Sequence, residues 1–212
     1  MDKTLHYLYD PLCGWCYGAM PAMNTLLGVP GLRIELLPTG LFSGAGARPM
    51  DDEFAAFAWA NDQTIEHSTG QPFSAAYRQG VLADRQTRFD SGPATLTLTA
   101  VASTAPTREY EVLKAIQHAR YIDGRDITSP AVLAELLQSL NLDEAASLIK
   151  RPSADLLDIN HARITHARAW MQEFGARGVP TLIVQAGIRR SMLRSNALFS
   201  DPSALLSQIE AA

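Results

Sequence analysis

The chain has 212 residues, of which 47% are apolar and 19% are charged, and its formal net charge is -4 at pH 7. This length suits one domain, or one domain with a large insertion, and it allows a substantial core that needs no disulfides. The composition excludes a disordered chain and the strongly basic surface of a nucleic-acid-binding protein, so we expect protein or small-molecule partners.

The start of the chain and the length of its apolar stretches indicate where in the cell the protein is located. Residues 1–16 lack a basic region followed by a long apolar run, so no secretion signal is predicted. The uncharged apolar stretches are far shorter than the roughly 20 residues that cross a bilayer. We therefore expect a cytoplasmic protein with no membrane partner and no nucleic-acid partner.

The first third of the chain is predicted to fold as strand, helix and strand. Residues 4–9 are β-branched, aromatic and apolar, and they end at an Asp-Pro pair that is typical of turns. Apolar residues recur at intervals of three and four over residues 14–27, which predicts a helix whose axis Pro21 should kink. Residues 32–42 are typical of a buried strand in a parallel pair.

More than a hundred residues follow in which we expect helices and no strand. Capping residues and apolar stripes predict helices that begin at or just after Asp51, Ser91, Ser129, Asp143 and Ser153. The last of these helices is the longest and ends near residue 174, where glycines offer stops. This middle part of the chain is therefore predicted to be a helical insertion.

The C-terminal part returns to strands. Residues 179–193 contain two short apolar runs around Ala186 and Gly187, which predicts a β-hairpin. The final residues predict a short helix capped at Asp201 or Ser203. The predicted order is β-α-β, a helical block and α-β-β-α, which is an α/β fold.

Cys13 and Cys16 are the two cysteines of the chain, and they lie where the first strand passes into the first helix. In a cytosolic protein this C-x-x-C spacing points to redox chemistry or to metal binding. A structural zinc site needs four ligands, and no second C-x-x-C or paired histidine motif is present, so no metal is expected. Two buried, inert cysteines are a third interpretation, which does not account for their position at the start of a helix.

The position in the helix assigns different roles to the two sulfurs. Free backbone N–H groups and the helix dipole favour a thiolate on Cys13, at the first turn, more than on Cys16, one turn further along. Residues three apart on a helix are surface neighbours, so the two sulfurs can bridge. We therefore predict that Cys13 attacks a substrate disulfide and that Cys16 resolves the mixed disulfide.

The sequence "CGWC" after a first strand, followed by a helix, a helical insertion and then "GVPT" before a strand, resembles the thioredoxin superfamily. Within it, "DPLCGWCYG" together with the insertion is most similar to the cytoplasmic DsbA-like and FrnE-like thiol oxidoreductases. The resemblance implies a thioredoxin-like fold. Its N-terminal part would be residues 1–43, the inserted helical domain residues 44–160 and its C-terminal part residues 161–212.

The resemblance also implies roles for further residues. Pro180 would be a cis-proline that faces the cysteines, and Val179 would offer its backbone to an extended substrate peptide. Without the resemblance, an ordinary trans proline at the first residue of a strand is the preferred interpretation of Pro180. Related folds often carry a buried carboxylate on the first strand, which this chain lacks, so proton transfer would fall to His6, Tyr7, Asp10 or water.

Three residues close to the cysteines are expected to tune the redox equilibrium. Gly14 and Trp15 lie between the sulfurs and affect the stability of the thiolate. Trp15 is also a candidate contact for substrate at the rim of the site, and packing is an equally good interpretation. Asp10 lies near Cys13, where its negative charge would oppose a thiolate, although it also suits a capping role.

Three functions are compatible with these residues. We favour a thiol-disulfide oxidoreductase, or protein-disulfide isomerase, that exchanges disulfides with protein or small-molecule thiols. It would use a redox-active Cys13–Cys16 disulfide and no other cofactor, with glutathione as a candidate co-substrate. One alternative is a glutathione-dependent isomerase or transferase of the same fold, and another is a peptide-binding chaperone. The direction of exchange stays open.

Overall fold

A four-stranded sheet forms the centre of the computed structural model, which describes residues 2–200 and 202–212. The strand order is β2-β1-β5-β6, with β1 parallel to β2 and antiparallel to β5, and with β5 antiparallel to β6. The four strands are β1 Lys3–Tyr9, β2 Leu32–Pro38, β5 Thr181–Ala186 and β6 Arg189–Met192. The predicted parallel pair and the predicted hairpin around Ala186 and Gly187 are both confirmed.

Ten helices surround the sheet in the part of the chain that the structure describes. Their bounds are α1 Gly14–Gly18, α2 Met20–Leu27, α3 Asp52–Thr69, α4 Gly92–Thr104, α5 Glu109–Tyr121, α6 Pro130–Ser139, α7 Asp143–Lys150, α8 Ala154–Glu173, α9 Ala197–Ser200 and α10 Pro202–Ala211. The predicted order of β-α-β, helical block and α-β-β-α is confirmed. The suggested cap Asp201 lies outside the described residues.

Asp51 and Ser153 form the predicted side-chain caps, and Ser91 and Ser129 do not. The side chain of Asp51 accepts a hydrogen bond from the Phe54 N–H at 2.8 Å, and that of Ser153 accepts one from the Leu156 N–H at 3.2 Å. Ser91 makes no side-chain cap, because its hydroxyl donates to Asp10 instead. The prediction for Ser91 was therefore wrong about its partner but right about where the helix begins.

The insertion contains one feature that the sequence did not predict. Two short antiparallel strands of two residues each, β3 Arg48–Pro49 and β4 Arg88–Phe89, pair at the two ends of its first helical segment. The expectation of no strand in this region is thus wrong, because a two-residue strand is too short to show an alternating pattern. A π-helical turn at Tyr77–Val81 lies between these strands.

The predicted first helix is divided into α1 and α2 at Ala19. Pro21 causes the break, since it has no N–H to donate to the carbonyl of Tyr17 four residues earlier. The Gln71 side-chain amide, from the loop after α3, donates to this carbonyl at 3.3 Å. The predicted kink is confirmed, and the inserted segment satisfies a backbone group of the cysteine-bearing helix.

The two faces of the sheet have separate cores because β1 alternates. Leu5, Tyr7 and Tyr9 face the main core, which extends through α1, α2 and the inserted helices. Leu8 faces α8, where it packs with Trp170 in a smaller core. Burial on both faces is typical of a strand at the middle of a sheet. No helix in the described residues is long and apolar enough to span a membrane.

Candidate active site

Cys13 lies at the junction where β1 passes into α1. It is the N-cap residue of α1, with an extended backbone and no side-chain cap, so its sulfur lies at the end of the helix that carries free N–H groups. The Sγ atom donates to the Val179 carbonyl at 3.4 Å, and the residue is 7% exposed. Cys13 is thus largely buried and lies close to the start of β5.

Cys16 lies one turn further along α1 and is fully buried. Burial raises the pKa of its thiol well above the ordinary value, and hydrogen bonding with Cys13 raises it further. Both cysteines are free thiols in the structure, with no disulfide between them. Cys13 is thus the more exposed of the two cysteines, with 7% of its surface accessible against 0% for Cys16.

The Val179-Pro180 peptide bond lies directly opposite the cysteines. It is cis, as the resemblance implies, and Pro180 is buried while Val179 is partly exposed. The Val179 carbonyl is the group that accepts the hydrogen bond from Cys13 Sγ. The structure thus brings together both cysteines and both residues that the resemblance assigns to substrate binding.

Trp15 and Gly14, which lie between the sulfurs, have different surroundings. Trp15 is partly exposed and packs edge to face on Phe199 of α9, with ring centroids 4.8 Å apart. Gly14 is packed against α3, because a Cβ atom at this position would lie 2.8 Å from Asp62 Oδ1 and 3.0 Å from Ile65 Cδ1. A side chain at position 14 would therefore require the side chains of Asp62 and Ile65 to move.

Asp10 is fully buried beneath the cysteine-bearing turn. Its carboxylate accepts hydrogen bonds from the Leu12 N–H at 2.9 Å, from the Phe42 N–H at 3.1 Å and from the Ser91 hydroxyl at 2.7 Å. Burial raises its pKa, and the three hydrogen bonds act in the opposite direction. Asp10 fixes the turn before α1, and its charge also raises the pKa of Cys16.

Asp62 is a second buried acidic residue near the cysteines, and it was not predicted from the sequence. The residue belongs to α3 and is 4% exposed, and its Oδ2 accepts a hydrogen bond from the Tyr77 hydroxyl at 2.9 Å. Burial raises its pKa from 3.8 to about 7. One signal was present in the sequence, since Asp62 falls on the same helical stripe as the apolar residues Phe54 and Ile65.

Aromatic side chains and one arginine lie close to Asp62. The Arg120 guanidinium, 2% exposed, lies 5.4 Å from the centre of the Tyr77 ring and 5.7 Å from that of Tyr121. Its Nε and Nη2 atoms have no hydrogen-bond partner among the described residues. The Tyr121 hydroxyl donates to the Leu12 carbonyl at 2.8 Å, directly before Cys13.

The remaining candidates for proton transfer are divided between the two faces of the sheet. The Tyr7 hydroxyl donates to the Cys16 carbonyl at 3.2 Å, so Tyr7 belongs to the site. His6 faces the other side, where it packs on Trp170 with ring centroids 4.2 Å apart and contacts Glu35. His6 is therefore separated from the cysteines by the sheet. No group of three or more possible metal ligands occurs among the described residues.

A model of the DSBA-like thioredoxin domain family matches residues 4–199. No curated protein gives a match. Among solved structures, the cytosolic disulfide reductase DsbM from Pseudomonas aeruginosa has a TM-score of 0.87 at 33% identity, over 99% of this chain and 100% of that chain.

Two further solved structures are similar. One is DsbM from Pseudomonas aeruginosa with GSH, which has a TM-score of 0.85 at 33% identity over 98% of each chain. The other is the oxidoreductase DsbA from Xylella fastidiosa, with a TM-score of 0.57 at 14% identity over 100% of this chain and 88% of that chain. The second of these likenesses concerns the fold alone.

Proposed function

Because the chain belongs to the DsbA-like thioredoxin family and is a thiol-disulfide oxidoreductase, we propose that it is a cytoplasmic disulfide reductase that uses Cys13 and Cys16. The observation that carries this proposal is the placement of the two sulfurs. Cys13 lies at the start of α1, facing the cis Val179-Pro180 bond, and keeps a small exposed area, while Cys16 is fully buried one turn further along. Such a placement suits an attacking and a resolving thiol.

The reaction begins at Cys13. Its thiolate attacks one sulfur of the substrate disulfide, which forms a mixed disulfide and releases the first substrate thiolate. Cys16 then loses its proton and attacks the sulfur of Cys13, which forms the Cys13–Cys16 disulfide and releases the second substrate thiolate. The raised pKa of Cys16 keeps this thiol protonated until the mixed disulfide has formed next to it.

Glutathione is the proposed reductant that restores the enzyme, since a similar structure of DsbM contains GSH. One glutathione thiolate attacks Cys13, which leaves a glutathione mixed disulfide on Cys13 and a free thiol on Cys16. A second glutathione attacks this mixed disulfide and leaves as glutathione disulfide. Each cycle thus converts one substrate disulfide and two glutathione thiols into two substrate thiols and one glutathione disulfide.

The experiment compares the two cysteines by substitution to serine. Cys13→Ser should lose disulfide reduction of insulin in a glutathione buffer, because the attacking sulfur is gone. Cys16→Ser should accumulate a mixed disulfide on Cys13, which is measured by the mass of the intact protein under non-reducing conditions. Full activity of Cys13→Ser, or no mixed disulfide in Cys16→Ser, would contradict the assignment of roles.

The same variants discriminate against the two other functions. A glutathione-dependent isomerase or transferase needs one thiol only, so Cys16→Ser would keep its turnover and glutathione would appear in a conjugate. A peptide-binding chaperone would bind unfolded protein equally well with Cys13 and Cys16 oxidised or reduced. Either outcome would replace the reductase proposal.

A further inference from the structure

The carboxyl group of Asp62 lies against the backbone between the two cysteines. Gly14 leaves the space for it, since Asp62 Oδ1 is 2.8 Å from the position that a Cβ atom of residue 14 would occupy. This distance places the carboxyl oxygen in contact with the first turn of α1, where Cys13 is the N-cap. A charge on this oxygen therefore acts directly on the part of the chain that holds the reactive sulfur.

The orientation of the carboxyl group is fixed by Tyr77. The Tyr77 hydroxyl donates to Asp62 Oδ2 at 2.9 Å, and Tyr77 is itself 2% exposed. No described residue donates a hydrogen bond to Oδ1, which is the oxygen on the side of Gly14. The carboxyl group thus keeps one oxygen bound within the insertion and presents the other to the cysteine-bearing turn.

The charge state of Asp62 depends on the groups packed around it. Those groups are Gly14 on the first turn of α1, Tyr77 on the π-helical turn, and Arg120 and Tyr121 on α5. Burial raises the pKa of Asp62 to about 7, while the Tyr77 hydrogen bond and the Arg120 charge act to lower it. Both charge states of the carboxyl group are therefore populated near neutral pH.

We propose that Asp62 is a positioning residue for thiol-disulfide exchange, and that its negative charge shifts the Cys13–Cys16 pair towards the disulfide form. The inference rests on the proposed function. An ionised carboxylate beside the first turn of α1 opposes negative charge on Cys13 and so destabilises the reduced pair. When Asp62 is protonated this repulsion is absent, and the reduced pair is favoured. Helix α3 of the insertion thereby provides a buried carboxyl group that affects the redox equilibrium, and β1 contains no such group.

The test measures the redox equilibrium of Asp62→Asn and of the unmodified protein in dithiothreitol buffers, with free thiols counted by alkylation and mass spectrometry. At about pH 8 the variant should favour the reduced form by about tenfold, which is about 30 mV for this two-electron couple. At about pH 5.5, where Asp62 is mostly protonated, the two proteins should agree within about twofold. An equal difference at both pH values, or none at either, would overturn the proposal.

Two further variants separate charge from packing. Glu66→Gln removes an exposed carboxylate one turn further along α3, and it should leave the equilibrium unchanged. Tyr77→Phe removes the hydrogen bond that lowers the pKa of Asp62, so the pH at which the equilibrium changes should move upwards. A Tyr77→Phe profile identical to that of the unmodified protein would count against the assignment.

The result also separates this inference from the proposed function. If the cysteines of the unmodified protein form no disulfide in any dithiothreitol buffer, the proposed function itself fails. If they do form one, and its pH dependence is the same in Asp62→Asn, only the role of Asp62 fails. Because dithiothreitol is the reference couple, neither outcome depends on glutathione being the natural reductant.

Discussion

Replacing Asp62 by asparagine should change how the stability of the protein depends on pH. Asparagine keeps the shape of the side chain and still accepts a hydrogen bond from the Tyr77 hydroxyl, but it does not ionise. The carboxyl group has a pKa of about 7 in the folded protein and 3.8 when unperturbed. Between these values the folded state holds a proton that the unfolded state has lost.

The sign of the effect follows from this difference in bound protons. Stability falls with rising pH wherever the folded state binds more protons, so the unmodified protein loses stability as the pH rises from about 4 to about 7. The total contribution is on the order of 4 kcal/mol, from 1.36 kcal/mol for each pKa unit. Asp62→Asn lacks this loss, so it should become more stable relative to the unmodified protein across that range.

Urea unfolding at a series of pH values provides the measurement, because the midpoint and slope give the free energy of unfolding at each pH. The difference between Asp62→Asn and the unmodified protein should grow by a few kcal/mol between about pH 5 and about pH 8. Glu66→Gln, which removes an exposed carboxylate one turn further along α3, is the matched control, and Asp62→Asn should show the larger change with pH. A difference for Asp62→Asn that does not vary with pH would refute the reasoning.

Two further predictions concern packing around the cysteine-bearing turn. Gly18→Ala would place a Cβ atom 2.5 Å from Ile65 Cγ2, so the free energy of unfolding in urea should fall by about 1–3 kcal/mol. Gly28→Ala is the control, because the nearest atom to its Cβ would be a carbonyl oxygen at 3.8 Å, and its stability should be close to that of the unmodified protein. Equal stability of these two variants would contradict the close contact of α1 with α3. Tyr121→Phe leaves the buried Leu12 carbonyl without its donor and should cost about 1–2 kcal/mol by the same measurement, and an unchanged midpoint would argue against that hydrogen bond.

The parts of the fold that the sequence predicts are those with a local pattern. The first strand, the cap at Asp51 and the hairpin at Ala186 and Gly187 each depend on neighbouring residues, and the structure contains all three. The place of the cysteines at a helix start also follows from local periodicity. Pro180 is recognisable only through the family resemblance, since one sequence does not encode the isomer of its peptide bond.

The residues that the sequence does not predict are those with distant partners. Asp62 is 48 positions from Gly14, the residue against which its carboxyl group packs, and no periodic pattern relates two positions in different helices. The partner of Ser91 could not be predicted for the same reason. Its hydroxyl donates to Asp10, 81 positions away, instead of capping the helix that Ser91 precedes. Pairs of this kind depend on how the insertion docks on the sheet, which is a property of tertiary packing.

The close fit of Gly14 against α3 has a consequence for protein engineering. The redox potential of a C-x-x-C pair can be altered by randomising the two residues between the cysteines. In this protein, a side chain at position 14 would meet the ends of the Asp62 and Ile65 side chains, so most substitutions there will first move these two side chains of α3. Trp15 packs instead on Phe199 of α9. A productive library would therefore vary position 15 alone, or vary position 14 together with its two neighbours on α3, where effects are coupled.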